Sequence, residues 1–401
     1  MDSPKRNVVV LGAGFGGLAA AMRIAKDLRK ANLTSNYELL LIDRNDTQVY
    51  TPLLYEFVAA SGEKDLPKST VLNIPSLIKG LPITFMPGEV TEIDLMNGDI
   101  HLKAGEEVKA EFLVIALGSE PNYFGIKGMQ ENAIPLKTFN DAKKIRAKLL
   151  ELLQAKPAPR VIVGGAGANG IELAAQIKYL HKNCEVTLLE AMPSIMPGFD
   201  AKLTTPIAKR LVKLGVTVLV NGKITTVDPD VVQLDGGKTI PFDLMIWTGG
   251  VKASDLVSKL PLKAERGKPV AEMGMVCVPQ TPDLKLYPMV YVLGDSVCFM
   301  DPETGRPLPA TAPIAISQAK VVAHNVMEEI KKKESQNYTP SPMTYSPMEY
   351  PYGVPTGGHW GAAKIGPVVF TGWFAWFFKK LVDLDYFLSI MPFWKALAEW
   401  I

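Results

Sequence analysis

Two short glycine clusters carry the most specific chemistry in this 401-residue chain. The first, Gly12-Ala13-Gly14-Phe15-Gly16-Gly17, follows the apolar run Asn7–Leu11 (NVVVL) and precedes a helical pattern rich in Ala and Leu. Each glycine answers a separate demand. Gly12 permits a tight turn, Gly14 lets the backbone approach a pyrophosphate, and Gly17 lets the helix pack closely on the strand. The helix start then offers unpaired N–H groups and a positive dipole end to the phosphates. The next strand, Glu38–Ile42 (ELLLI), ends at Asp43, whose carboxylate can bind ribose hydroxyls. Asp43 lies 31 residues after Gly12, beyond the usual spacing of about 20, and the polar stretch 32–36 accounts for the excess.

A second copy starts at Arg160. Val161–Val163 enters Gly165-Ala166-Gly167-Ala168-Asn169-Gly170, a helical run (IELAAQIKYLHK) follows, and the strand Glu185–Leu189 ends at Glu190, 25 residues after Gly165. One such motif is a weak signal, but two, each between strand and helix and each with a terminal carboxylate, indicate two dinucleotide-binding domains. Glycine-rich turns with no ligand would leave both acids unexplained. Glu190 would repel a 2′-phosphate, and Ala191-Met192-Pro193-Ser194 supply no Arg to receive one, so NADH is favoured over NADPH.

The elements that position these residues need a chain of this size, too long for one small core and suited to two or three domains. Hydrophobic residues make up 47% and charged residues 21%, the profile of a folded enzyme. The net charge of +2 comes from 43 basic and 41 acidic residues, a poor match to nucleic acid. Cys184, Cys277 and Cys298 form no C-x-x-C pair, so no metal site is expected and a reducing compartment is. The N-terminus runs straight into a strand, so no signal peptide is expected. The longest apolar stretch, Ile365–Phe378, has 14 residues, too short to span a bilayer.

This arrangement resembles the two-dinucleotide-binding-domain flavoproteins and, within them, the type II (non-proton-pumping) NADH dehydrogenases. Four more segments carry the resemblance: Phe112–Pro121 (FLVIALGSEP), Asp243–Val251 (DLMIWTGGV), Val290–Ser296 (VYVLGDS) and Tyr50–Glu56 (YTPLLYE). It implies an α/β fold of two Rossmann-type domains, the NAD domain inserted in the FAD domain. The expected boundaries are 1–120 and 266–340 for FAD, 121–265 for NAD and 341–401 for a membrane-associating tail. Cofactor contacts are implied at Asp43, Arg44, Val90, Ala116, Gly118, Glu190, Gly249, Gly250, Gly294, Asp295, Ala312 and Pro313. Asp295 ends an apolar strand, where its carboxylate would accept ribityl hydroxyl hydrogen bonds. Glu172, expected in the first turn of its helix, matches the family's glutamate near the flavin–nicotinamide contact. A carboxylate favoured only by the helix dipole is the plainer reading. Lys379 resembles the family's C-terminal lysine that contacts the flavin region, against the alternative of an exposed basic residue beside Lys380.

One segment departs from the family. The usual Ala-Gln-x-x-x-Gln, whose glutamines line the quinone pocket, is here Ala312-Pro313-Ile314-Ala315-Ile316-Ser317, with Gln318 one position late. Pro suits a first helical turn, so flavin contact through backbone N–H groups can persist while the polar handles for a quinone carbonyl are altered.

The Pro-, Ser- and Tyr-rich stretch 337–355 reads as an extended crossover. Beyond it, residues 370–401 hold 11 of the chain's 33 aromatics, with Lys379, Lys380, Asp383 and Asp385 interleaved. That pattern suits amphipathic segments lying in a bilayer interface; a homodimer interface or packing beneath the FAD domain are the alternatives. The expected reaction is ping-pong: NADH reduces FAD, which reduces a quinone at the cytoplasmic face of a membrane. A sulfide:quinone oxidoreductase fits badly, because it needs redox cysteines flanking the flavin. A flavin-bearing protein without turnover is the rival from another class.

Overall fold

The computed structural model of the chain describes residues 4–286 and 289–400; residues 1–3 and 401, the outer ends of the expected boundaries, lie outside the described residues. The elements that carry the candidate residues are, in chain order, β1 (Arg6–Leu11), α1 (Phe15–Lys30), β2 (Tyr37–Asp43), α2 (Leu54–Ala59), β3 (Thr84–Pro87) and β4 (Phe112–Ile115). They continue with β5 (Arg160–Gly164), α3 (Ala168–Leu180), β6 (Glu185–Leu189), β7 (Thr217–Leu219), β8 (Leu244–Trp247) and β9 (Met289–Val292), then α4 (Ala312–Glu334), α5 (Trp373–Ile390) and α6 (Phe393–Trp400).

The chain forms two compact units. The first gathers Met1–Gln48, Asn73–Glu120 and Lys252–Met348. Its centre is a parallel five-stranded sheet in the order β9-β4-β1-β2-β3. Val8, Val9, Val10 and Leu11 are completely buried, as a strand covered on both faces requires. Helix α1 buries Leu18, Ala21, Ile24, Ala25 and Leu28 and packs against α4.

The second unit gathers Val49–Leu72, Pro121–Val251 and Glu349–Ile401. Its parallel sheet runs from the short strand Ile134–Pro135 through β8, β5 and β6 to β7. The unit borders differ from the boundaries read in the sequence. The segment 49–72 falls in the second unit because Leu54, Tyr55, Phe57 and Val58 join the hydrophobic core formed by Val161, Ile171, Ala175 and Leu188. The tail falls there too, through Val354 and Ala362 in the same core. Helix α3 is consequently buried on several sides, including Ile171, Glu172, Leu173, Ala174 and Ala175, with the sheet on one side and α2 on another.

Helix α5 turns Ala375, Asp383, Tyr386, Phe387 and Ile390 inward, one helical stripe. Trp373, Phe374, Leu381 and Leu388 stay exposed. Among the described residues no helix is long and apolar enough to cross a membrane.

Candidate functional site

The two glycine turns adopt nearly the same geometry. Gly12 sits at φ +96° and Gly165 at φ +97°, a backbone region that L side chains seldom enter. A Cβ on Gly17 would lie 1.8 Å from the Gly12 carbonyl oxygen, and one on Gly170 would lie 1.9 Å from that of Gly165. Neither helix could pack on its strand with any larger residue there. Gly14 and Gly167 differ: a Cβ at either position meets nothing within 4 Å. Each also serves as an N-cap without a side-chain hydrogen bond, and neither helix has an acid in its first turn. Open space beside a helix N-terminus, with no carboxylate in its first turn, is what a pyrophosphate requires. Asn169, in the first turn of α3, is exposed beside this space.

Both acids at the strand ends hold their turns. The Ala13 N–H donates to Asp43 Oδ2 at 2.7 Å, and the Ala166 N–H donates to Glu190 Oε2 at 2.8 Å. The second oxygen of each accepts another backbone N–H, from Asn45 and Met192 respectively. The carboxylates are thereby fixed, with lone pairs left over for ribose hydroxyls.

Several other expected residues of the first unit lie near its turn, while Arg44 and Val90 are not shown there. A Cβ on Gly12 would strike the Ala116 carbonyl oxygen at 2.4 Å, so β4 delivers Ala116 against the glycines. Gly118 follows at φ +74° with open space beside it, and its carbonyl accepts from Ser296 Oγ. Asp295 sits in the turn after β9, its Oδ2 accepting from Ser119 Oγ at 2.8 Å. Ala312 and Pro313 open α4, whose N-cap Thr311 makes no side-chain cap. Arg44 is exposed at the end of β2, and Val90 is half-buried in the strand Val90–Asp94, outside this central sheet. In the second unit Gly249 lies against Gly165, its Cα 2.4 Å from where a Gly165 Cβ would stand. Thr248 Oγ1 bonds the Gly164 and Gly165 carbonyls, and Gly250 adopts φ +152°.

The shifted glutamine has a structural task. Gln318 is buried, and its Oε1 accepts the Gly294 N–H at 2.7 Å, fixing the turn that carries Asp295. Ser317 Oγ donates to the Ile314 carbonyl at 2.9 Å. The amide one position late is therefore part of the Asp295 turn.

Glu172 departs from expectation. It is the fifth residue of α3, in the second turn, and no acid occupies the first, so a helix-dipole role does not describe it. It is 6% exposed, and no hydrogen bond to it exists among the described residues. Burial pushes its carboxyl up to about 8; Lys379 pulls it down, while Asp383 and Glu56 push it further up. Lys379 is not an exposed neighbour of Lys380. Its side chain is 14% exposed and pairs with Asp383, which is 4% exposed. Burial opposes the Lys379 charge, but Asp383 and Glu172 outweigh it and raise the ammonium's pKa. Because Glu172 is mostly protonated at neutrality, Asp383 is the counter-charge that matters there.

Asp383 Oδ1 also accepts the Tyr50 hydroxyl at 2.6 Å. Alongside, Glu56 Oε1 accepts from the Tyr55 hydroxyl at 2.9 Å and from Lys380 at 2.8 Å. Sequence reasoning missed Asp383 and the Tyr50 hydroxyl as parts of this cluster. The available signal was an acid four residues after Lys379, a spacing that puts both on one helix face.

The sequence profile of the family described as pyridine nucleotide-disulphide oxidoreductase matches residues 6–319. A type II NADH:quinone oxidoreductase (Ndh) of Mycobacterium tuberculosis is 29% identical over 440 residues, covering 99% of this chain and 88% of that protein. A type II NADH:quinone oxidoreductase of Staphylococcus aureus is 25% identical over 405 residues, covering 96% and 95%. Among solved structures, NDH2 from Plasmodium falciparum in complex with NADH superposes with a TM-score of 0.82 at 18% identity, covering 99% of this chain and 97% of that one. The sulfide:quinone oxidoreductase from Aquifex aeolicus gives 0.77 at 19% identity, covering 98% and 92%. The two structural likenesses establish a shared fold.

Proposed function

The chain belongs to the pyridine nucleotide-disulphide oxidoreductase family, and from that premise we propose that it oxidises NADH through bound FAD and reduces a quinone. The observation that carries this reading is the duplicated cradle, in which Asp43 holds the Ala13 N–H and Glu190 holds the Ala166 N–H. The first-unit cradle takes FAD. Gly14, the N-terminus of α1, Asp43, the Ala116–Gly118 segment and Asp295 would hold it, and the open face at Gly14 with the packed one at Gly17 fits a pyrophosphate. The second-unit cradle takes NADH, with Gly167 and Asn169 at the phosphates and Glu190 at the adenosine ribose, where a 2′-phosphate would meet a carboxylate.

When bound, FAD supplies the electron chemistry, accepting hydride from NADH and giving two electrons to the quinone. The residues supply position and protons. A quinone takes up two protons with two electrons, whereas hydride brings one. We assign the other to Glu172, which burial keeps protonated at neutral pH. Lys379 limits how high the Glu172 pKa rises, and Asp383 holds Lys379 charged and in place.

The readings with redox cysteines or without turnover have less support. Cys184, Cys277 and Cys298 are free and buried, and burial pushes each thiol up, Cys184 to about 11. Such thiols are poor nucleophiles. Glu172, a buried acid with no structural hydrogen bond, is an unneeded expense in a protein that only stores flavin.

We place the protein at the cytoplasmic face of a membrane, attached peripherally. Phe374 is 71% exposed and Trp394 78% exposed, and they sit with Trp373 and Phe393 on two consecutive helices, a composition suited to the headgroup boundary. Flotation with neutral phosphatidylcholine vesicles should carry the wild type and leave F374D/W394D behind. Retention of both, with wild-type dimers lost in the variant, would make this face a homodimer contact.

Anaerobic titration tests the reaction. NADH should bleach the flavin band at one equivalent, and a short-chain menaquinone or ubiquinone should restore it. A flavin band that NADH leaves unchanged would refute the reading.

A further inference from the structure

An exposed aromatic in the second unit stands in a backbone conformation that its type disfavours. Phe124 has φ +52° and Gly125 φ +68°, and the Ile126 N–H closes the turn on the Tyr123 carbonyl at 2.9 Å. Positive φ at both central positions defines a type I′ turn, which prefers Asn, Asp or Gly in place of a bulky residue. The strain is held from several sides. The Phe124 N–H donates to Asn122 Oδ1 at 2.9 Å. Asn122 itself is tied to the end of β8, its carbonyl accepting Trp247 Nε1 at 2.9 Å and its N–H donating to the Gly250 carbonyl at 3.0 Å. The result is a Phe side chain kept over Gly250, where a Cβ would approach the ring at 2.9 Å. The ring also meets Trp247 edge to face, with centroids 6.4 Å apart. Yet Phe124 is 62% exposed. A ring braced this firmly in a disfavoured turn, burying so little, does not serve the core.

The sheet order says what lies beside it. Glu190, at the end of β6, marks the adenosine side of the cradle, and the start of α3 marks the pyrophosphate. In a Rossmann unit the dinucleotide crosses the carboxyl ends of the strands where their order reverses. Its other half must therefore run from β5 toward β8. There Gly249 abuts Gly165, Gly250 follows, and Phe124 covers Gly250, so the path from the cradle to the ring is continuous. We propose that Phe124 is an aromatic wall for the nicotinamide-ribose half of the bound dinucleotide, positioned by Asn122 and Trp247. This inference rests on the NADH reading above. Phe124 is a binding and positioning residue, with no part in proton or electron transfer.

The test uses the full-length flavoprotein and three measurements on F124N, with F124Y as the conservative control. Asn accepts the αL backbone, so thermal unfolding of F124N should move up by about 1–3 °C. Affinity for NAD⁺, measured by calorimetry, should fall about tenfold, the usual scale for losing one aromatic contact. Affinity for ADP-ribose, which has the same adenosine and pyrophosphate but no nicotinamide, should stay within twofold, and F124Y should bind NAD⁺ like the wild type. Equal loss of ADP-ribose affinity, or unchanged NAD⁺ affinity while NADH still bleaches the wild-type flavin, would overturn the assignment of Phe124 alone. A wild-type flavin that NADH does not bleach would overturn the NADH reading and this inference together.

Discussion

The two glycine turns are near copies, and their surroundings are not. Each has a positive-φ first glycine, an open middle glycine, a last glycine that admits no Cβ, and a carboxylate gripping the second residue's N–H. Around the first turn the neighbouring polar groups are matched within the protein. Gln318 takes the Gly294 N–H, Ser119 binds Asp295 and Ser296 binds the Gly118 carbonyl. Past the second turn, α3 buries Glu172, whose carboxyl makes no hydrogen bond among the described residues and has only the Lys379 charge to favour its ionised form. A matched polar shell suits a resident group that never leaves. An unmatched buried acid carries a free-energy cost in the resting protein and makes sense where a proton must be held and released.

The largest effect should come from closing the first cradle. Gly17→Val puts side-chain atoms where the Gly12 carbonyl already stands, so the purified variant should contain almost no flavin by its 450-to-280 nm absorbance ratio. Flavin content near the wild-type value would deny that the first turn is the FAD cradle.

Next comes Glu172→Gln, which removes the proton and keeps the shape. Quinone-dependent turnover at pH 7 should fall by roughly 10²-fold, the low end for losing a general acid. Anaerobic flavin reduction by NADH should stay within a few-fold. Equal losses in both half-reactions would make Glu172 a dinucleotide-binding residue.

Two neighbours sharpen the same point through pH. Glu172 titrates at about 8, with Lys379 pulling down and Asp383 pushing up. The alkaline limb of quinone-dependent turnover should therefore move to lower pH in Asp383→Asn and to higher pH in Lys379→Met. Shifts of the same sign in both variants would contradict the opposed roles.

Stability gives the smallest contrast. Gln318→Leu orphans the Gly294 N–H and should cost about 1–3 kcal/mol by denaturant unfolding. Glu172→Gln should cost nothing below pH 5 and stabilise the protein at pH 8. The sign follows from linkage: the folded pKa is raised from 4.5 to about 8. Its contribution is thus fully present below about 4.5 and is lost as pH rises through 8. A wild-type stability curve as flat as the variant's across that window would mean that Glu172 is not buried in solution.

How much of this was legible in the sequence depends on how local each feature is. The turns at Gly12 and Gly165 were, because positive φ and the Cβ clashes at Gly17 and Gly170 leave glycine no substitute. The strand-end acids were too, since each sits directly after its strand. The burial of Glu172 was not. It depends on α2, which comes from over 100 residues earlier, and sequence spacing carries no record of that approach. Asp383 read as one charge among several in an aromatic tail, although the stripe Ala375, Asp383, Phe387 and Ile390 places it inward. Gln318 read as an amide displaced by one position. Only the fold shows that the displacement aims it at the Gly294 N–H.

The most direct test of two cradles with separate tasks is the visible spectrum of purified Gly170→Val before and after NADH. Gly170→Val should purify as a yellow protein with one flavin per chain that NADH leaves unbleached and dithionite bleaches. A colourless protein, or one that NADH bleaches as fast as the wild type, would contradict that separation.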